Sequence, residues 1–381
     1  TGASTPVYKW RLNFPAGGPQ TQAYLGESWS KMAIGRVKIS GYEKWVGFIG
    51  GGYSSGGDTG KGFFVVDLSN GDILWSFTKG GSDTDTTSAN MTYTLPAPPA
   101  IVDTDTDGFI DTAYVGDLGG NMWRFKFCTQ TDASTCSTSN WRGGRLFDSS
   151  VGTGFVRPIY AGAAVAKSTD GSLWVFWGTG NRENPSGTSG QDRFFGVKDN
   201  DRTTTYNVNN LENITTQGTT YSGANPGWYI NLPNTGEKIL SEAAVFGGIV
   251  AFTTYTPYSG SDPCSSAGTA RLYAMTMMPM TINGITYNPG AGVLSEPAVP
   301  SSTAGGERSR VLGYGIAKTP VFSQKPGGAG PTDVYLSLSG GGGADTRIIS
   351  SSQLEDSPFK EELEKTPPIS QVLHWLDRRI R

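Results

Sequence analysis

The chain of 381 residues carries 54 glycines, 22 prolines, one histidine and three cysteines, with 30 basic against 33 acidic side chains. That much glycine excludes bundles and coiled coils and favours short strands joined by many turns, while 36% hydrophobic and 11% aromatic residues suffice for a sizeable core. A net charge of −3, with no basic run beyond the Arg378–Arg381 end, sets nucleic acid aside as a partner, and a lone His374 makes a Ser-His-Asp relay or a His-rich zinc site hard to assemble.

The chain opens at Thr1 with neither an initiator methionine nor a charged-then-apolar leader, which reads as a processed product or a fragment of something longer. A first aromatic-anchored strand surrounds Trp10. Phe63–Asp67, the turn Ser69-Asn70-Gly71-Asp72 and Ile73–Phe77 then read as a hairpin, because turn formers separate two runs of strand formers. Ala113–Val115 and Met122–Phe125, around the Gly116–Asn121 turn, read as another. The aromatic anchor recurs at Trp75, Trp123, Trp174, Trp228 and Tyr273, in steps of 48, 51, 54 and 45 residues, which are propeller-blade lengths. Tyr335 and Trp375 extend the series less regularly.

One four-stranded meander cannot hide both of its faces, so such units must stack about an axis, and closing the ring removes exposed edges. The expectation is an all-β propeller forming a single domain over residues 1–381, with seven blades of about 54 residues each and six or eight as alternatives. The first and last anchors would share one blade. Trp174, Phe176 and Trp177 read as core. Polar segments at 80–90, 129–140, 181–192, 199–221, 301–310 and 325–330 read as solvated spacers on a rim. The longest apolar stretch, Ala243–Tyr255, is broken by Gly247-Gly248 and falls short of the roughly 20 residues a bilayer span needs. Residues 340–381 read as a Gly-rich turn, a short helix and a closing strand. In the helix Ser357 caps, Pro358 occupies the first turn and Pro367 stops it.

The sharpest chemical signal is Asp103-Thr-Asp105-Thr-Asp107-Gly108-Phe109-Ile-Asp111. Alternate carboxylates at loop positions one, three and five converge on one hard cation, Gly108 permits the sharp turn, the Phe109 carbonyl contributes an oxygen, and Asp111 supplies the last carboxylate. Calcium is the expected ion, since magnesium demands tighter octahedral geometry and more water. The twelfth position is Tyr114 rather than a bidentate glutamate, and the flanks Pro99–Val102 and Thr112–Val115 read as strands. The loop is therefore not a helical EF-hand but a clip between two strands. Asp83 and Asp85 lack a glycine pivot and read as plain surface, and Glu242 beside an apolar run reads as a candidate buried partner for Lys or Arg. Cys128 and Cys136 lie eight positions apart in a Thr/Ser-rich insertion, where a disulfide is the expected state and implies an oxidising compartment. Cys264 is then the odd thiol, either buried and inert or paired outside this chain.

Several segments in order resemble the C-terminal domain of the PilY family of type IV pilus proteins. They are LGESWSKMAIGRVK (25–38), WVGFIGGGY (45–53), FFVVDLSNGDILWSF (63–77), the acidic loop running into DTAYVGDLGGNMWRFKF (111–127), LWVFWGTGNRENP (173–185), FFGVKD (194–199), and GWYINLPNTGEKILSEAAVFGGIVAFTTYTP (227–257) with DPC (262–264). The resemblance implies a modified quinoprotein-like propeller, a calcium loop that regulates pilus extension against retraction, and a role in surface attachment. By that resemblance the calcium ligands are Asp103, Asp105, Asp107, the Phe109 carbonyl and Asp111. It implies an extracellular place at the pilus tip or outer cell surface, with pilins or minor pilins, a missing N-terminal region and a host or abiotic surface as partners. No membrane span and no enzymatic role are expected. The Cys128/Cys136 insertion and the glycine-plus-helix tail depart from the family pattern.

Two other readings compete. A quinone-dependent dehydrogenase shares the blade pattern but needs a longer ring and often adjacent cysteines, and fold resemblance does not license activity. A free-standing calcium-dependent adhesin or glycan binder would use a similar loop and leave pili untouched on deletion.

Overall fold

The computed structural model describes residues 9–12, 23–79, 91–132, 134–151, 154–260, 267–282, 284–294, 303–323, 332–339 and 360–363. Regular structure among them is almost entirely strand, and no described helix is long and apolar enough to cross a membrane. The chain divides into two compact units, residues 1–145 and 146–381.

In the first unit β1 (Ala33–Ile39), β2 (Tyr42–Gly50), β3 (Gly62–Asp67) and β4 (Ile73–Thr78) form an antiparallel meander in sequence order. A second meander of β5 (Ala100–Val102), β6 (Thr112–Gly116), β7 (Met122–Lys126) and β8 (Arg142–Phe147) follows, with β8 ending just past the boundary. Both hairpins expected from sequence are present as the β3/β4 and β6/β7 pairs. The turn chemistry is carried by aspartates. Asp67 Oδ1 accepts the Ser69 amide at 2.9 Å, and Asp117 Oδ1 accepts the Gly119 and Asn121 amides, each at 2.9 Å. The other Asp117 oxygen takes the Trp123 indole N–H at 2.8 Å, which locks an aromatic anchor onto its own turn.

Strand β3 is buried along its whole length, as is β6. They read as continuous apolar runs because both faces of these sheets are covered. Phe63 on β3 stacks on Phe125 of β7 at 3.9 Å between ring centroids, so the two meanders pack through an aromatic layer that also includes Phe48, Phe77, Trp123 and Trp141. Each such fully buried ring stabilises by about 1.5–3 kcal/mol.

The second unit repeats the plan with insertions. Its first sheet contains β9 (Ala164–Lys167), β10 (Leu173–Gly178), β11 (Arg193–Lys198), β12 (Glu212–Asn213) and β13 (Gly227–Asn231), ordered β12-β13-β11-β10-β9. The next contains β14 (Ala244–Phe246), β15 (Ile249–Thr256) and β16 (Thr269–Thr276); a small hairpin of β17 (Met280–Ile282) and β18 (Ile285–Tyr287) intervenes before its last strand, β19 (Ser309–Tyr314). Phe194 stacks on Phe252 at 3.8 Å, joining these two sheets as Phe63 and Phe125 join the first pair. Trp174, Phe176 and Trp177 are core residues, as expected.

A last sheet contains β20 (Val321–Ser323), β21 (Thr332–Tyr335) and β22 (Lys360–Leu363). Here the structure corrects the sequence reading, because Lys360–Leu363, inside the expected C-terminal helix, form a strand. Pairing with β21 satisfies their backbone groups across the sheet and overrides a local helical preference of a few tenths of a kcal/mol per residue. The remainder of 340–381, including the expected closing strand and His374, lies outside the described residues, as do Asp83, Asp85 and Cys264.

Candidate metal centre

The acidic segment occupies the connection between β5 and β6. Its stem is closed by the Asp111 amide donating to the Val102 carbonyl at 3.1 Å and by the Phe127 amide donating to the Asp111 carbonyl at 2.7 Å. Reversing direction in so few residues requires left-handed backbone at two positions, Thr106 (φ 63°) and Gly108 (φ 92°). Glycine takes the second at little cost, whereas the threonine is held there against its preference.

Inside the turn the carboxylates collect amides. Asp103 accepts the Gly108 amide at 2.7 Å and the Asp107 amide at 3.2 Å. Asp107 Oδ1 accepts the Phe109 amide at 2.9 Å. Asp111, 1% exposed, accepts the Thr104 amide at 2.8 Å and hydroxyl at 2.7 Å on one oxygen, and the Thr112 hydroxyl at 2.7 Å on the other. These bonds aim the side chains inward and fix their orientation. Oxygen atoms of Asp103, Asp105 and Asp111 all lie within 4.8 Å of one another.

Asp107 lies outside this group of three, and the Phe109 ring lies beneath the Arg36 guanidinium at 5.1 Å and the Lys38 ammonium at 5.3 Å. Strand β1 thus packs against the loop at its Phe109 end. The Ile110 amide donates to the Arg36 carbonyl at 2.7 Å, and the Arg36 guanidinium donates to the Gly108 carbonyl at 3.2 Å and pairs with Glu43 at 3.1 Å. Gly35 makes this approach feasible, since a Cβ there would lie 2.6 Å from the Ile110 side chain.

The electrostatics are those of crowded acids. Burial pushes the Asp103 carboxyl up to about 6, the neighbouring Asp105 adding to the rise and the Gly108 amide opposing it. Asp107 is raised chiefly by burial, with the Asp105 and Asp111 charges adding. Such a cluster resists full ionisation on its own and gains from a cation. The donors are all oxygen, which selects a hard ion, and two oxygens each about 2.4 Å from one calcium stand at most about 4.8 Å apart. The cluster therefore suits a hard cation such as calcium in donor type, and its oxygens are close enough for one such ion to bridge.

Sequence reasoning placed the loop between two strands and found its acids. It missed Thr104 and Thr112, which orient Asp111, and Arg36 and Lys38, which grip the far end. It also missed the Gln130 amide, which donates to Asp105 at 2.8 Å. The threonines were visible as hydroxyls flanking acids; the others come from distant segments and leave no local trace. Cys128 and Cys136 are disulfide-bonded, as expected, whereas Glu242 is exposed rather than the buried partner expected of it.

Comparisons with known proteins concern the fold and family of the chain. The family profile described as the PilY1 beta-propeller domain matches residues 14–222. A type IV pilus biogenesis factor PilY1 homolog of Xylella fastidiosa is 26% identical over 61% of this chain and 17% of its own length. The type IV pilus biogenesis factor PilY1 of Pseudomonas aeruginosa strain PAO1 is 26% identical over 66% of this chain and 25% of its own. The chain thus spans a quarter or less of the length of these two relatives. The solved C-terminal domain of Pseudomonas aeruginosa PilY1 superposes with a TM-score of 0.59 at 18% identity, covering 84% of this chain and 74% of that one, which shows a shared fold.

Proposed function

The chain belongs to the PilY1 β-propeller family, and from that premise we propose that it is the calcium-responsive propeller of a type IV pilus biogenesis factor, setting the balance of pilus extension and retraction and supporting attachment to surfaces. Asp103, Asp105, Asp107 and Asp111 would supply carboxylates and Phe109 its carbonyl, with water completing the shell. The observation that carries the reading is the convergence of Asp103, Asp105 and Asp111 oxygens within 4.8 Å in an oxygen-only site. Without an ion the like charges repel and the turn loosens; with one it locks between β5 and β6. Lacking a glutamate at the twelfth position, the loop binds with an affinity on the order of micromolar or weaker.

This role is one of binding rather than catalysis, exercised outside the cell at the pilus tip or outer surface. Pilins or minor pilins and other regions of a longer protein are its partners, and a host or abiotic surface is its ligand. Calcium titration by calorimetry is the test. Asp105→Ala and Asp111→Ala abolish the binding isotherm while circular dichroism stays that of a folded β protein; undiminished binding in both variants rejects the ligand assignment.

A further inference from the structure

The disulfide-closed turn beside the acidic loop is tied to the site at its tip and anchored in the core at its base. Both cysteines are only 4% exposed and belong to the aromatic core of the first unit, where the Trp141 indole N–H donates to Cys128 Sγ at 3.1 Å. The turn they close is exposed at Gln130, Thr131, Asp132, Ser134 and Thr135, so packing does little to fix its shape. Most of its described internal bonds involve Asp132, whose Oδ1 accepts the Thr129 amide at 2.6 Å and whose carbonyl accepts the Cys136 amide at 2.8 Å. Besides the Trp141 bond, two bonds tie the described part of the turn to the end of β1 and to the acidic loop. The Ser40 amide at the end of β1 donates to the Cys136 carbonyl at 2.8 Å, and the Gln130 amide donates to Asp105 Oδ2 at 2.8 Å.

The second bond reaches one of the carboxylates assigned to the ion. Asp105 Oδ1 accepts the Asp107 amide at 3.3 Å from within the loop, so its carboxylate plane is set by one local amide and one amide from the disulfide turn. The shorter of the two is the distant one, and donation from a backbone amide to an ionised carboxylate is among the stronger hydrogen bonds. Strand β1 serves as common footing, since its Arg36 carbonyl holds Ile110 of the acidic loop while its neighbour Ser40 holds Cys136.

We propose that the Cys128–Cys136 bridge and the Gln130 backbone are positioning elements for the cation, holding Asp105 in ligating orientation so that opening the bridge weakens calcium binding without unfolding the propeller. The proposal rests on the calcium reading of the Asp103–Asp111 loop. Its physical content is preorganisation: an exposed polar turn without its cross-link samples many shapes, few of which present the Gln130 N–H to Asp105.

The test titrates calcium into the full chain and four variants. Cys128→Ser with Cys136→Ser opens the turn, Gln130→Pro removes the N–H with the bridge intact, Gln130→Ala removes only the side chain, and Asp105→Ala is the ligand control. Loss of one charge-assisted bond at a ligand corresponds to roughly tenfold weaker binding, expected for the double serine variant and for Gln130→Pro, while Gln130→Ala binds as the parent does. Thermal melts in chelator and in saturating calcium separate positioning from plain stability. A bridge that serves stability alone lowers both melting temperatures equally and leaves affinity intact, which overturns the proposal. Unchanged affinity in folded Gln130→Pro overturns it independently, whatever the fate of the serine variant. A parent chain that binds no calcium removes the underlying calcium reading and this proposal with it, an outcome distinct from a parent that binds and variants that bind equally well.

Discussion

At Asp103 the cost of crowding carboxylates becomes measurable through pH. Burial raises this group to about 6 from an unfolded value near 3.8, so its protonated form is the one the metal-free fold prefers. Its contribution to stability is complete below the unfolded value and is lost as pH rises through about 6. Metal-free protein therefore gains stability from this loop on acidification from pH 7 toward 5, while calcium affinity falls over the same interval because ion and proton compete for Asp103. Chemical denaturation in chelator and calcium titrations across that range check both slopes. At Gly108 the left-handed backbone (φ 92°) predicts that Gly108→Ala strains the loop by about 1–3 kcal/mol and weakens calcium binding accordingly, read by calorimetry. The acids and this glycine were legible in sequence because all lie in one nine-residue turn. The supports were not, since Gln130 reaches Asp105 across 25 positions and Arg36 reaches Gly108 across 72, distances over which no spacing rule operates.

Among the elements, the turns are the parts that sequence describes best. Asp67 and Asp117 nucleate their hairpins through side-chain bonds to amides two to four residues on, a chemistry readable from Asp followed by Gly or Asn. Asp117→Ala tests the stronger case: it leaves the buried Asn121 amide and Trp123 indole without the acceptor, and each unpaired buried donor costs about 1–3 kcal/mol. Urea denaturation should show a destabilisation of that order, and a change below about 0.5 kcal/mol would mean the turn is held by packing alone. Elements that depend on distant partners were harder to read. Lys360–Leu363 carry helix-forming residues yet pair with β21. The aromatic anchors also fall in strands of different rank, with Trp75 on the last strand of its sheet, Trp123 on the third and Trp174 on the second in chain order. Their period marks where rings stack between sheets rather than one fixed strand of each, and the insertions of the second unit stretch it further.

For the molecule as a whole, family membership gives the propeller fold, and the acidic loop gives it a candidate response. Both units use the same device, neighbouring sheets joined by stacked phenylalanines, so the fold should stand without an ion, and the proposed ion would act on one connection within it. Calcium at a hundredfold excess over its dissociation constant should stabilise the parent chain by about 2.7 kcal/mol and raise its melting temperature, with no such rise in Asp105→Ala. As a test of the proposed pilus role, Asp111→Ala in a piliated bacterium whose pili depend on this chain should alter the number of surface pili with the protein still folded; normal pili would favour the free-standing adhesin reading instead. The most direct measurement is anomalous scattering from crystals grown in millimolar calcium. The account predicts a single ion peak about 2.3–2.6 Å from oxygens of Asp103, Asp105 and Asp111; ordered carboxylates with no peak between them would contradict it.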